Sequence, residues 1–343
     1  MVGLDIGSKT IKAAEITDTS RGKRLDSFGM IDIAPGLIEE GAIKDPEPLA
    51  EAIRLLMKNH RIREQNVAVA IGGYSVIVKP IQMDMMTDEQ LEETINIEAE
   101  QYIPFNSSDV NIDCHRLGES KTSPNKMDVL LVAAKIELVN DYINLIHMAG
   151  LNPCIIDHEL TALQNIFEMS HDSGEESVAI IDIGASKTHL NIVKEGVPIL
   201  VRDVPFGCGQ MDEKIMSLSD CGHEEAEAIR RGEETDKISS NDLRDITATV
   251  VRDWSIEIGR ALDFFYSNHP DDRIETIYLS GGGAHVKELP PMLSDETTTD
   301  VEILDPLSRL AVNSEGVDAD YLDGVAPQAA ICLGLALRRV DDK

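Results

Sequence analysis

Two short stretches of the chain carry residues suited to holding a phosphate. The first reads Val2-Gly3-Leu4-Asp5-Ile6-Gly7-Ser8-Lys9-Thr10, and it returns as Ile180-Ile181-Asp182-Ile183-Gly184-Ala185-Ser186-Lys187-Thr188, with Ala185 read as one inserted residue. Behind each Asp-Ile-Gly, the turn offers consecutive backbone N–H groups, Ser and Thr hydroxyls and a Lys ammonium, the donors that cradle a phosphate oxyanion. Gly7 and Gly184 let the backbone approach with no Cβ in the way. Asp5 and Asp182, expected at strand ends that face each other across a cleft, suit the water shell of Mg²⁺, which takes few carboxylates and keeps most of its waters. A third stretch, Leu279-Ser280-Gly281-Gly282-Gly283-Ala284, leaves a strand and enters a helix, where bare backbone can pack against a flat ring or a phosphate. Each stretch alone is also an ordinary turn or strand end; the repetition is what argues for a site.

The elements that must position these residues can be read from spacing. Each copy of the repeat is an apolar strand, a polar turn with Gly at the bend, and a second strand, over residues 11–16 and 189–193, so each predicts a β-hairpin. Asp45 and Pro46 open a helix carrying Leu49, Ile53 and Leu56 on one face, and residues 67–71 form a short buried-type strand closed by Gly72-Gly73. Thr87 and Gln90 make a capping box for a helix with Leu91, Ile95, Ala99 and Tyr102 on one face, stopped by Pro104. A strand over 127–134 and a helix over 137–148, ended by Gly150, complete what reads as a small αβ insert over residues 79–150. The first lobe core is then expected over 1–78 and 151–176, joined by a returning C-terminal segment, 326–343, in which Pro327 opens a last helix through Leu337. The second lobe spans 177–325, behind the polar run 170–176. Its long helix from Asn241 buries Leu243, Ile246, Val250, Trp254, Ile258, Leu262 and Phe265, so Trp254 reads as core. A strand over 277–279 feeds the Gly-rich stretch.

Composition excludes several functions. Among 343 residues, 31 Lys and Arg face 62 Asp and Glu, a formal charge of −31 that repels nucleic acid and anionic lipid. At 42% hydrophobic the chain has material for packed cores, and its length suggests roughly two domains. The five cysteines are widely spaced with no C-x-x-C pair, so they read as reduced thiols of a cytosolic protein. The first ten residues lack the pattern of a signal peptide, and the apolar run 329–337 is too short for a membrane span.

The order of two phosphate hairpins and a Gly-rich strand end resembles the superfamily of actin, sugar kinases and heat-shock-chaperone ATPases. The resemblance implies an α/β, bilobed actin-like ATPase fold of two duplicated ribonuclease-H-like lobes, with the αβ insert in the first. It implies that ATP and Mg²⁺ bind at Gly7, Ser8, Lys9, Thr10, Gly184, Ala185, Ser186, Lys187, Thr188, Gly281, Gly282 and Gly283, with Asp5 and Asp182 at the metal and in catalysis. Lys12 resembles the lysine that touches the β- and γ-phosphates, and Glu159, in His158-Glu159-Leu160-Thr161-Ala162, the carboxylate that orients attacking water. Ala226-Glu227-Ala228-Ile229-Arg230-Arg231 resembles the helix that reaches the adenosine through Glu227 and Arg230, with Arg231 beside them; the same pattern also fits an exposed helix. Gly207 belongs to the phosphate-side segment Phe206-Gly207-Cys208-Gly209, in which Cys208 stands where relatives usually carry Gly.

The insert points to one branch. Ile97-Glu98-Ala99-Glu100-Gln101-Tyr102-Ile103-Pro104-Phe105, then Asp113, Val132-Ala133-Ala134, Gly150-Leu151-Asn152-Pro153 and Ile156-Asp157, resembles the PilM family of type IV pilus assembly, itself related to FtsA. That resemblance implies a cytoplasmic scaffold for pilus assembly and twitching motility, peripheral to the inner membrane through protein partners, with at most weak ATPase activity. A groove beside the insert, near Tyr102, Ile103, Pro104 and Phe105, would take the N-terminal cytoplasmic peptide of an inner-membrane pilus protein of the PilN type; Tyr102 and Phe105 are equally ordinary core material. Nucleotide would close the lobes and bias which partner is held, with pilus motor ATPases and a second copy of the chain as further partners. Two alternatives stand beside this reading: a small-molecule kinase, for which no clear general base is found, and a filament of the FtsA or MreB kind, for which the lipid-binding tail of FtsA is missing. Lys9, Lys12, Lys187, Arg230 and Arg231, with Mg²⁺, are expected to offset the global negative field where ATP binds.

Overall fold

Apolar strands flanking a Gly bend open the chain as β1 (Val2–Ile6) and β2 (Thr10–Thr19), followed by β3 (Gly22–Asp32), the short pair β4 (Ile38–Glu39) and β5 (Ala42–Ile43), α1 (Pro46–Asn59) and β6 (Asn66–Ile71). Next come β7 (Val76–Asp84), α2 (Asp88–Glu98), β8 (Val110–Glu119), β9 (Lys126–Lys135), α3 (Ile136–Met148), β10 (Asn152–His158) and α4 (Glu159–Ser170). After the second hairpin, β11 (Ser177–Ile183) and β12 (Thr188–Lys194), come β13 (Val197–Val204), α5 (Gly209–Ser219), α6 (His223–Arg230), α7 (Ser240–Asn268) and β14 (Ile274–Ser280). The chain closes with α8 (Leu289–Thr297), β15 (Asp300–Ile303), β16 (Ala311–Val312), α9 (Ala319–Val325) and α10 (Ala330–Ala336). This computed structural model describes every residue except 121, 122, 173, 175, 234, 315, 341 and 343. Residues 173 and 175 of the polar run 170–176, and 341 and 343 of the returning segment, therefore lie outside the described residues.

Two compact units result, Met1–Asp172 with Gly196–Val201 and Pro306–Lys343, and Ser173–Glu195 with Arg202–Asp305. In the first, a six-stranded sheet runs β10-β6-β1-β2-β3-β16. β1 pairs antiparallel with β2 and parallel with β6, which pairs parallel with β10. The second unit repeats the plan: its sheet runs β13-β12-β11-β14-β15, β13 entering the unit at Arg202, with β11 antiparallel to β12 and parallel to β14. Parallel neighbours need a crossover, and α1, just before β6, and α7, just before β14, supply it at equivalent places in the element order. The 29-residue α7 starts at Ser239, whose side chain accepts from the Asp242 N–H. It buries Ile246, Val250, Trp254, Ile258, Leu262 and Phe265; Leu243, placed on the same stripe by its spacing, is only half-buried.

The three-stranded sheet β7-β9-β8 carries α2, and together they have a core of their own built on Met127, Val129, Leu131, Ile95 and Ile103. The Thr87 capping box forms as drawn from the sequence, with Gln90 N donating to Thr87 Oγ1 at 3.3 Å and Thr87 N to Gln90 Oε1 at 2.9 Å. The helix expected to complete the insert behaves differently: α3 buries Leu138, Tyr142, Leu145 and Ile146 in the core that holds β1, β6 and α1. Helical periodicity shows that a face is buried, not which sheet receives it.

α10 lies against β1 and α4. Gly334 permits this, because a Cβ there would sit well inside contact distance of the Ala162 carbonyl, and Gly3 does the same for Cys332 and Ala336. Ala162 lies in the interior of α4, so its carbonyl cannot easily retreat. Gly334→Ala is therefore expected to destabilise the first unit by about 1–3 kcal/mol, read as a lower unfolding temperature by calorimetry. An unchanged midpoint would mean that α10 does not pack there. Among the described residues, no helix is long and apolar enough to cross a membrane.

Candidate functional site

The first hairpin brings Asp5 and Lys12 directly opposite each other in the β1–β2 ladder. Their side chains close a buried ion pair, Lys12 Nζ donating to Asp5 Oδ2 at 2.7 Å, with Asp5 5% and Lys12 9% exposed. At the bend, Gly7 N donates to Thr10 O at 3.0 Å, and Ser8 and Lys9 form the tip of the turn. Beneath the pair, the buried Tyr142 hydroxyl donates to Gly41 O at 3.1 Å. Burial drives its pKa far above the ordinary phenol range, and the carboxylates of Glu159 and then Asp5 add to the shift. Glu159, buried as the first residue of α4, thus shares one electrostatic neighbourhood with Asp5. The Cys332 thiol, donating to Gly3 O at 3.3 Å, is also pushed well up by burial and by Asp5.

The second hairpin has the same turn, Gly184 N donating to Lys187 O at 2.9 Å, and its ladder sets Asp182 opposite His189. This register corrects the alignment of the repeat. Ile6 pairs with Ile11 and Ile183 with Thr188, so the two turns are equally long and nothing is inserted at Ala185. Ala185 therefore matches Ser8, Ser186 matches Lys9, Lys187 matches Thr10, Thr188 matches Ile11, and His189 matches Lys12. Thr188 accordingly points inward: it is fully buried and its hydroxyl donates to Phe206 O at 2.9 Å, so it does not offer that hydroxyl to a phosphate. Ser186 and Lys187 remain at the turn.

His189 is a functional candidate that reading the sequence missed. Its Nδ1 lies 2.6 Å from Asp203 Oδ1 on β13, with the imidazole buried. A carboxylate partner makes Nδ1–H the donor and fixes the orientation of the ring. The shared spacing of seven residues, Asp5 to Lys12 and Asp182 to His189, was the available signal.

The Gly-rich segments pack onto this hairpin. Cys208 N donates to Gly184 O at 3.0 Å and Gly209 N to Ala185 O at 2.8 Å. A Cβ at Gly207 would lie 2.6 Å from both the Gly184 and Ala185 carbonyls, so only Gly fits there. Gly281 has φ +79°, and a Cβ on it would lie 2.5 Å from Ile183 O; Gly283 is pressed onto the Ile183 side chain. Those two glycines thus have a packing reason of their own, whereas Gly282 has only the Cys208 sulfur near its missing Cβ, at 4.0 Å.

Glu227, Arg230 and Arg231 do come together. Arg230 Nε donates to Asp212 Oδ1 at 2.6 Å, its Nη2 lies 3.7 Å from Glu227 Oε1, and Arg231 Nη2 pairs with the same Glu227 oxygen. Asp212 and Glu227 are buried, so this is a neutralised cluster and not an exposed helix face. The Cys208 thiol beside it is pushed up to about 11 by burial, with Arg230 opposing and Asp212, Asp182 and Glu227 reinforcing. At pH 8 such a thiol is ionised about one part in a thousand. All five cysteines are free, Cys154 exposed and Cys208 and Cys332 buried. A thiol-reactive dye is expected to label Cys154 first and to reach Cys208 and Cys332 only on unfolding, as peptide mapping of the labelled chain would show.

Of the expected peptide-contacting residues, Ile103 is only 7% exposed and belongs to the insert's core, so it is withdrawn from that role. Pro104 is exposed, while Tyr102 and Phe105 are half-buried. The Lys79 ammonium lies 5.5 Å from the Tyr102 ring centroid and that of Lys135 5.0 Å from the Phe105 centroid.

As to metal, no group of three or more His, Cys, Asp or Glu side chains among the described residues could hold an ion by itself. Buried single carboxylates, Asp5 and Asp182, fit a hydrated ion arriving with a phosphate ligand.

Comparison with known proteins agrees with this architecture. The PilM–PilN type IV pilus biogenesis complex contains a chain that this one matches at a TM-score of 0.87 and 27% identity, over 99% of this chain and 98% of that one. Ethanolamine utilization protein EutJ from Carboxydothermus hydrogenoformans matches at 0.59 and 16%, over 98% and 88%, and MreB 5 of Spiroplasma citri bound to AMPPNP at 0.50 and 14%, over 94% and 95%. The last two speak for fold alone, and the fold is the expected actin-like ATPase fold. Residues 3–340 match the family described as type IV pilus assembly protein PilM. The chain belongs to the PilM family of type IV pilus assembly proteins.

Proposed function

We propose that this PilM-family chain is a nucleotide-binding scaffold that holds ATP with Mg²⁺ and captures the N-terminal cytoplasmic peptide of a PilN-like protein, which recruits it to the inner membrane. The observation that carries the nucleotide reading is the repeat itself: each unit presents a Gly-headed turn of equal length beside a buried Asp, one faced by Lys12 and the other by His189. In this reading Gly7, Ser8, Lys9 and Thr10, with Gly184, Ala185, Ser186 and Lys187, offer backbone N–H and side-chain donors to the phosphates. Lys12 and Lys187 supply cationic charge, and Asp5 and Asp182 hold water of the Mg²⁺ shell. Glu227, Arg230 and Arg231 line the adenosine end, with Gly207 and Gly282 giving close backbone approach. Asp5, Asp182 and Glu159 serve the chemistry of any turnover, and His189, oriented by Asp203, is the residue suited to accept a proton from water. MreB 5, of the same fold, holds AMPPNP, which supports a nucleotide here.

The partner reading is supported by the likeness to the PilM–PilN complex. Tyr102, Pro104 and Phe105 present apolar surface at the insert, suited to anchoring side chains of an extended peptide. Titration calorimetry tests the nucleotide reading: ATP is expected to bind markedly tighter with Mg²⁺ than without, since the chain carries a net charge of −31 against an anionic ligand. Equal affinities would overturn the metal's part, and absence of binding the whole nucleotide reading. Phe105→Glu is expected to weaken capture of a PilN-type N-terminal peptide at least tenfold, and unchanged capture would move the groove elsewhere.

A further inference from the structure

The second unit has a trough unrelated to the hairpins. It lies between α5 and the first three turns of α7, has a volume of about 430 Å³, and is lined by Glu213, Lys214, Ser217 and Leu218 on one wall and Asp242, Asp245, Ile246 and Thr249 on the other. Leu218 is 63% exposed, and of the eight lining residues only Ile246 is buried. An exposed leucine facing a second apolar side chain across an open trough is surface that water covers at a cost.

Its rim is acidic. Neither Glu213, Asp242 nor Asp245 forms an ion pair among the described residues; Asp242 only accepts from the cap hydroxyl of Ser239, at 2.7 Å. Some carboxylates of the same unit are matched, Asp212 and Glu227 to Arg230 and Arg231, Asp272 to Lys194, Glu225 to Lys237 and Glu257 to Arg260, while others such as Asp253 and Asp263 are, like those of the trough, outside any ion pair among the described residues. Three unmatched carboxylates and one ammonium, Lys214, therefore surround an apolar floor. The α7 wall, from Asp242 to Thr249, spans about two turns, on the order of 10 Å, which accommodates apolar anchors at i, i+3 or i+4, and i+7 of a helix laid along it.

We propose that this trough docks a short amphipathic helical segment of a partner protein, its leucine-like side chains on Leu218 and Ile246 and its lysines or arginines on Glu213, Asp242 and Asp245. The proposal does not rest on nucleotide binding and stands or falls separately from it.

The test uses the full chain and a fluorescein-labelled 15-residue peptide of Leu, Lys and Ala with its leucines on one helical face, read by fluorescence anisotropy. A peptide of the same composition with its leucines spread around the helix is the control. The one-faced peptide is expected to bind, and Leu218→Asp and Asp245→Lys each to weaken it about tenfold or more. Glu93→Lys on the exposed side of α2 changes net charge by the same amount as Asp245→Lys and is expected to change affinity less than about twofold. Because Leu218 is largely exposed, its substitution leaves the fold intact, which an unchanged unfolding temperature verifies. Equal weakening by Glu93→Lys, equal binding of the control peptide, unaltered binding by Leu218→Asp, or no binding of the one-faced peptide overturns the proposal.

Discussion

Asp5→Ala is expected to remove nucleotide binding and to lower the stability of the first unit by about 3–5 kcal/mol. The stability loss follows from Lys12: with only 9% of its surface exposed, its ammonium would be left buried without the carboxylate it now meets at 2.7 Å. A buried pair is worth little in itself, since desolvating two charges offsets most of their attraction, but a buried single charge is costly. Replacing both partners by apolar residues, Asp5→Leu with Lys12→Met, is therefore expected to recover most of the lost stability. Nucleotide binding should not return, because the groups that would meet Mg²⁺ and the phosphates are both gone. Differential scanning calorimetry reads the first effect and titration with Mg²⁺ and ATP the second. A double variant that binds nucleotide as well as the parent would sink the role proposed for the pair.

Arg338→Met is the second large effect, and it depends on pH. Arg338 Nη1 reaches Asp157 Oδ2 at 2.6 Å, joining the segment behind α10 to β10 within the first unit. Burial raises the pKa of Asp157 above the ordinary carboxylate value, with Arg338 acting against that rise. An acid whose folded value is raised keeps its proton in the folded chain at pH values where the unfolded chain has released it. Its burial thus costs nothing below about pH 4 and costs progressively more as pH climbs through the raised value. Without Arg338 that rise is unopposed. The gap in stability between parent and variant is expected to be small near pH 4 and to widen to about 3–5 kcal/mol at pH 7. Unfolding curves at the two pH values measure it, and a gap that is the same at both would mean that Asp157 does not rely on Arg338.

The sequence made part of this legible and hid the rest for definable reasons. The two hairpins, α1, α2 with its cap, α7 and the Gly-rich strand end were readable because each has a strong periodic or capping signal. The textual match of Ser-Lys-Thr misled the alignment, because letters were matched instead of ladder positions; pairing Asp with the residue seven along would have put His189 under Lys12. Strands β3, β7 and β13 passed unread because their burial is mixed, leaving neither a clean alternation nor a continuous apolar run. The partners of buried charges were also invisible. Nothing local to Arg230 announces Asp212, eighteen residues earlier on another helix, nor does Asp157 announce Arg338. Ile103 shows the converse, a residue whose place in a specific motif suggested contact with a partner and whose side chain proved to be needed by the insert's core.

The first unit is assembled from three stretches of chain, the last beginning at Pro306, and α10 in that last stretch covers β1. On a ribosome adding about 5–20 residues per second, β1 would wait roughly 15–70 s for the helix that Gly3 and Gly334 are shaped to receive. The stretch Arg202–Asp305 emerges in that interval, so the second unit can be complete while the first still shows an apolar strand flank to solvent. The late arrival of a single seven-residue helix therefore sets the period in which the nascent chain is open to misassembly, and in which a holding chaperone would find something to hold.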